Sequence, residues 1–212
     1  MKKSNLFWIS YSDIMTSLFF VMLVLFVVSY AFFRAEAGTV EILEKQKEEV
    51  EAIEEALRTL DANYFHFIEE NKRYRLNIDV RFNPREANIY VMPNEILDSL
   101  YNAGNILYQT IDSLITYNER AHLLLVIEGN NQRPDNYLDE IEFGYTNSYR
   151  RALALFNFWK ERGLNFYDFG ERCEVIIAGS GYFGLAREEN DPTLNRRFTL
   201  QITSKYTLTP DG

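Results

Sequence analysis

The chain has 212 residues, a formal net charge of −9 and one cysteine. That length allows one soluble domain of ordinary size beside a membrane segment and a connector. The acidic balance argues against a nucleic-acid partner, because no basic stripe is present to neutralise phosphates. A single cysteine excludes an internal disulfide. The two histidines lack other ligands at metal-binding spacing and no catalytic set is recognisable, so we expect no metal, no cofactor and no enzymatic activity.

The most distinctive stretch lies near the N-terminus, where residues 14–33 carry no charge. A helix of that length rises about 30 Å, the thickness of a bilayer's hydrocarbon core. The apolar run begins at Leu6, so Asp13 lies inside it. Lys2 and Lys3 precede the run and acidic residues follow it, which predicts a cytoplasmic N-terminus and a periplasmic remainder. The run is too long for a cleaved signal, so we expect a single-pass anchor in the inner membrane.

Asp13 is unusual because a carboxylate inside a membrane segment costs about 2.5–3.5 kcal/mol on insertion scales and such groups mark ion pathways. Thr16 and Ser17 follow it at helical spacing and share its face. We therefore predict that Asp13, Thr16 and Ser17 form an ion-translocation site for a proton, with sodium left open. The alternatives are that Asp13 marks the membrane interface and that the hydroxyls serve a helix–helix contact.

Residues 34–75 are rich in Glu, Lys and Arg, and their apolar side chains recur at spacings of three and four. The members of this heptad stripe are Leu43, Val50, Ile53, Leu57, Leu60, Tyr64 and Phe67. The spacing predicts a helical connector that dimerises as a short coiled coil. A single amphipathic helix packed on the following domain fits the stripe equally well.

Beyond residue 75 the pattern predicts alternating strands and helices. Apolar alternation predicts a strand over 76–82, with 88–92 as its hairpin partner. Helices are predicted over 103–117 and 145–162, and further strands over 122–127, 174–178 and 197–203. The order βαβαββ favours one α/β sandwich with helices on a mixed sheet. The predicted organisation is a tip (1–5), a transmembrane helix (6–33), a dimerisation connector (34–75), the α/β domain (76–204) and a tail (205–212).

Several motifs resemble known families. WISYSDIMTSL at 8–18 resembles the membrane helix of MotB-type stator subunits. NSYRRA at 147–152 is similar to the L-S-x-x-R-A of OmpA-like peptidoglycan-binding domains, and NRRF at 195–198 is similar to their N-R-R-V. VIEG at 126–129 stands where that family has the strand before its G-H-T-D.

The OmpA-like resemblance implies a peptidoglycan site that includes Arg151, Asn131, Gln132 and Arg197. Arg151 matches the arginine that would bind the carboxylate of the diamino acid in a wall peptide. The family's G-H-T-D is GNNQ at 129–132 in this chain, so Gln132 replaces the aspartate that would bind the amino group. An acidic residue of the following loop could take over that role; the candidates are Asp135, Asp139 and Glu142.

Together the resemblances imply the B subunit of an ion-driven rotary motor, with two copies inside a ring of five MotA-like A subunits. Asp13 would carry the ion, and the OmpA-like domain would hold the dimer on peptidoglycan. The short chain and the sequence of its membrane helix resemble most the B subunits of Zorya-type phage-defence complexes. Flagellar and gliding stators remain alternatives. A passive peptidoglycan tether is the alternative. An energy-transducing subunit of the ExbD or TolR kind is disfavoured, because the periplasmic domain of that family lacks motifs like those at 147–152 and 195–198 of this chain.

Overall fold

The structure is a computed structural model that describes residues 4–83, 85–118, 121–185, 187 and 195–204. The contacts divide the chain into two units, Met1–Glu49 and Val50–Gly212. The predicted tail and residues 1–3 of the predicted tip lie outside the described residues.

The first unit is built from helix α1 (Ser4–Arg58), whose last turns belong to the second unit. Its segment Trp8–Gly38 has 31 residues and contains an 18-residue window with a mean hydropathy of 2.4, none of which is buried. Among the described residues it is the one helix whose length and composition allow it to cross a membrane. The predicted transmembrane segment lies within this helix.

The helix ends earlier than the predicted connector, because residues 59–64 form turns instead. Asp61 accepts the Asn63 amide at 2.8 Å through its side chain, an Asx-type turn that competes with helix continuation. A hairpin of β1 (Phe65–Ile68) and β2 (Arg73–Leu76) follows. The spacing of Tyr64 and Phe67 therefore belongs to a turn and a strand, and the prediction of a helix up to residue 75 is wrong.

The lower half of the heptad stripe packs on its own domain. Ile53, Leu57 and Leu60 are buried in the core of the second unit. Side chains already covered by the same chain do not form the seam of a coiled coil. Over residues 50–60 the structure thus corresponds to the second interpretation of the stripe, an amphipathic helix that packs on the following domain.

The second unit contains a five-stranded mixed sheet in the order β1-β2-β5-β3-β4. Strands β3 (Leu123–Gly129) and β4 (Cys173–Gly179) are parallel, whereas β5 (Phe198–Ser204) runs antiparallel to both of its neighbours. Leu123, Leu125 and Ile127 are fully buried, while the residues between them are partly exposed. This alternation is typical of a sheet that is covered on one face.

Two helices supply the other layer of the core. Helix α2 (Asn94–Tyr117) buries Leu100, Leu107 and Ile111 completely. Helix α3 (Ile141–Glu161) buries Trp159, whose indole N–H donates to the carbonyl of Leu100 at 2.8 Å and so joins the two helices. The predicted fold class, an N-terminal helix followed by an α/β sandwich with a mixed sheet, is confirmed.

Local differences from the predicted strands have one cause. Ile78, Val80 and Phe82 are buried as the alternation predicts, but 77–82 pairs with no strand in the described part of the chain. The predicted hairpin partner contains the 3-10 helix Ile89–Val91. Alternation reports burial on one side of an extended chain, which does not require a ladder of hydrogen bonds.

Candidate functional site

The predicted ion site lies on α1. Asp13 is exposed, and no side chain among the described residues pairs with its carboxylate. The Thr16 hydroxyl donates to the Ser12 carbonyl at 2.7 Å, so toward any further group it can act only as an acceptor. The helix therefore presents an exposed carboxyl group within a largely apolar surface.

The second unit contains a cavity of about 310 Å³ between the β3–α3 loop, α3 and the side chains of Phe82 and Arg85. Its polar lining includes Arg85, Arg133, Arg151 and Arg196. The carboxylate in this lining belongs to Glu140, which accepts from Arg85 at 2.5 Å. The described lining of the cavity is therefore strongly cationic.

Arg151 lies at the buried end of the cavity, with 5% of its surface exposed. Its Nε donates to the Glu86 carbonyl at 3.0 Å, and its Nη1 donates to Asn131 Oδ1 at 2.6 Å. The guanidinium also stacks over the Phe82 ring at 4.6 Å. Burial, reinforced by the nearby charge of Arg196, lowers the pKa of Arg151 to about 10.

Asn131 brings the loop after β3 to this arginine. Its Oδ1 accepts from both Arg151 and Asn147, and its Nδ2 donates to the Gly144 carbonyl at 2.7 Å. All three contacts are buried, so the rotamer of the amide is determined by its partners. The side chain of the neighbouring Gln132 contacts Arg196 instead of Arg151: its Oε1 accepts a hydrogen bond from Arg196 Nε at 2.9 Å.

Close approach of α3 to β3 makes this arrangement possible. A Cβ on Gly129 would meet the Ser148 carbonyl oxygen, so a side chain at 129 would push α3 away from the sheet. Ser148 in turn accepts the Gly181 amide at 2.9 Å. The glycine at the end of β3 thus places Arg151, which is less than one helical turn beyond Ser148, over the cavity.

The structure brings Arg151, Asn131 and Gln132 to the cavity, but not Arg197. Arg196 takes that place. The three acidic residues suggested as replacements, Asp135, Asp139 and Glu142, are exposed and do not line the cavity. Sequence reasoning missed Arg85, which reaches the cavity from a segment with no motif. Arg85 has a φ of 62°, a left-handed backbone conformation that the sequence does not predict for an arginine.

No family model matches the chain, and no curated protein matches its sequence. Solved structures with a similar chain course include a MotB-like protein from Desulfovibrio vulgaris, at 13% identity and a TM-score of 0.43, covering 76% of this chain and 99% of that one. The periplasmic domain of Helicobacter pylori MotB is similar at 9% identity and a TM-score of 0.42, covering 63% and 83%. The OmpA-like domain of FopA1 from Francisella tularensis is similar at 14% identity and a TM-score of 0.36, covering 64% and 76%.

Proposed function

We propose that this protein is the B-type subunit of an ion-driven membrane motor whose soluble unit holds it on the cell wall. The observation that carries the proposal is Asp13, an exposed carboxyl group within the 31-residue candidate membrane span of α1. An intramembrane acid of this kind is stable only when another helix or an ion path receives it. The helix therefore requires a partner, for which we propose a ring of five MotA-like subunits around two copies of this chain.

The ion in this proposal is a proton carried by Asp13. An ionised carboxyl only accepts hydrogen bonds, whereas a neutral one also donates. Because the Thr16 hydroxyl already donates to its own helix, it accepts a hydrogen bond from Asp13 only in the neutral state. Protonation thus changes the contacts of the helix, which can bias two arrangements of the surrounding ring. Each charge that crosses supplies about 2.3 kcal/mol per 100 mV.

Proton flux into vesicles that contain the chain and its ring-forming partner tests this mechanism. Asp13→Asn keeps the size of the side chain and removes the titratable group. We therefore expect normal assembly with the partner and loss of at least about 99% of the flux, which corresponds to an activation barrier raised by about 2.7 kcal/mol. Asp13→Glu should retain part of the flux. Asp98→Asn, an exposed acid on α2, is the matched control. Normal flux in Asp13→Asn would overturn the proposal.

A passive wall tether is the second candidate, and the cationic cavity favours it independently of Asp13. A tether predicts that Asp13→Asn is harmless and that removal of a cavity arginine releases the protein from purified cell wall. A motor predicts that both changes abolish function. Protein bound to sedimented wall material and proton flux, measured on the same two variants, therefore separate the two candidates.

Within the motor class we propose a role in phage defence of the Zorya type. This proposal rests on the sequence of the membrane helix at 8–18. Phage plating on cells that carry the chain with its neighbouring genes tests this role. Protection that is lost in Asp13→Asn supports it. Loss of swimming without any loss of protection would assign the chain to a flagellar stator instead.

A further inference from the structure

The cavity of the second unit contains more cationic than anionic side chains. Its described lining residues include four arginines and one carboxylate, that of Glu140. The ion pair of Glu140 with Arg85 leaves Arg151 and Arg196 without a carboxylate partner among the described residues. Their partners are backbone carbonyls, amide oxygens and an aromatic ring.

Two neighbouring cations whose described partners are all uncharged are unfavourable in a partly buried site. The charge of Arg196 contributes to the lowered pKa of Arg151, which is the expected effect of one positive group on another. An anion that entered the cavity would relieve this repulsion and form charge-assisted hydrogen bonds with both groups. The cavity is therefore electrostatically prepared for negative charge.

The same geometry is unfavourable for an ammonium group. The amide oxygens of Asn131 and Gln132 already accept from arginines, and no free carboxylate among the described residues lines the cavity. A ligand ammonium would meet Arg196 where a zwitterion-binding site would offer an acid. Like charges at such a position lower affinity.

We propose that the cavity binds a ligand with two carboxylates and no free ammonium beside them, with Arg151 holding one carboxylate and Arg196 the other. This inference rests on the proposed wall-binding function and narrows its ligand class. In a wall peptide, a diamino acid at the C-terminal end, with both of its amino groups consumed in amide bonds, has this chemistry, whereas the free diamino acid does not. The site would thus select acylated over free amino ends.

Pimelate and meso-2,6-diaminopimelate test the proposal because they share one carbon skeleton and differ in the two ammonium groups. Calorimetric titration of the full-length protein in detergent should show pimelate binding at least about tenfold more tightly than diaminopimelate. Arg196→Gln should weaken pimelate binding by about tenfold or more. Arg150→Gln, an exposed neighbour on α3, should leave it unchanged.

Gln132→Glu is the reciprocal variant. It preserves an acceptor for Arg196 and adds a carboxylate, so it should weaken pimelate binding and strengthen diaminopimelate binding. Equal or tighter binding of diaminopimelate by the unchanged protein would overturn the proposal. Failure of both ligands to bind would overturn it as well.

Sedimentation with purified cell wall distinguishes this proposal from the function on which it rests. Binding to the wall without binding to either small ligand would leave the wall-anchoring function standing and remove the assignment of the cavity. Binding of pimelate without binding to the wall would leave the dicarboxylate site standing and remove the wall anchor.

Discussion

Asn131 Oδ1 lies 2.6 Å from Arg151 Nη1, and this buried hydrogen bond joins the loop after β3 to helix α3. The same oxygen accepts from Asn147, and the Asn131 Nδ2 donates to the Gly144 carbonyl. One amide therefore connects the loop to three positions on a single helix. Its neutrality matters, because a neutral acceptor orients the guanidinium without cancelling its charge.

Asn131→Ala should destabilise the second unit by about 2–4 kcal/mol, because it leaves a guanidinium donor, an amide donor and a carbonyl without a partner in a buried site. The free energy of unfolding from denaturant titration measures this loss. Asn157→Ala, an exposed asparagine on α3, should change the free energy by less than about 0.5 kcal/mol. Equal effects of the two changes would contradict the role assigned to Asn131.

Leu57 and Leu43 occupy the same predicted heptad stripe but different surroundings. Leu57 is 2% exposed in the core, whereas Leu43 is 58% exposed on α1. Leu57→Ala should lower the free energy of unfolding of the second unit by about 2–5 kcal/mol, since it leaves a cavity. Leu43→Ala should leave that energy unchanged. If residues 34–49 form a coiled coil, Leu43→Ala should also weaken self-association, which sedimentation equilibrium in detergent measures.

Gly104 allows α2 and α3 to pack closely. A Cβ at this position would lie within 2.7 Å of three atoms of the Trp159 indole. Gly104→Ala should therefore destabilise the second unit by about 1–3 kcal/mol through overpacking. Gly38→Ala is the control, because a Cβ there meets nothing within 4 Å. Chemical unfolding monitored by tryptophan fluorescence compares the two variants, and an unchanged midpoint in Gly104→Ala would refute the tight contact.

Alkaline pH should destabilise the fold through Cys173 and Tyr74. Burial raises the pKa of the Cys173 thiol from 9.0 to about 12, and it raises the pKa of Tyr74 from 10.0 to about 12. Between these values the groups ionise in the unfolded chain but stay neutral in the folded one. The unfolded state then binds fewer protons, so stability is complete below about pH 9 and falls as pH rises toward about 12.

Unfolding titrations across about pH 7–11 measure this loss. Cys173→Ala removes the thiol contribution, so its stability should decline less steeply than that of the unchanged protein. The same burial predicts that thiol reagents label Cys173 only after denaturant is added. Rapid labelling of the folded protein at neutral pH would contradict the buried position of the sulfur.

The elements predicted best are those in which one pattern has one structural meaning. HLLLVI at 122–127 is nearly continuously apolar and short, and most of it forms β3, an interior strand of the sheet. The periodic helix around Trp159 ends before Gly163, whose φ of +88° is a conformation that glycine adopts freely. The stripe at 43–67 failed as a single element, because spacings of three and four occur in a helix and also, by coincidence, across a turn and a strand.

The cavity was predictable only in part. Arg151 and Gln132 were found because they stand in recognisable motifs. Arg85 and Glu140 were not, since they reach the cavity from segments that are far apart in sequence and carry no motif. Arg196 lines the cavity and Arg197 does not, which depends on how the residues before β5 face the loop at 130–133. The sequence alone does not distinguish two adjacent arginines.

By itself the sequence determines that one apolar segment carries a single acid, because length and hydropathy act locally and need no partner. It also determines the succession of helices and strands from α2 to β5, since burial imposes a period on each of these elements. Only the tertiary structure decided where the heptad stripe packs and which polar groups surround Arg151. Both depend on contacts between distant segments, and such contacts leave no period and no spacing in the chain.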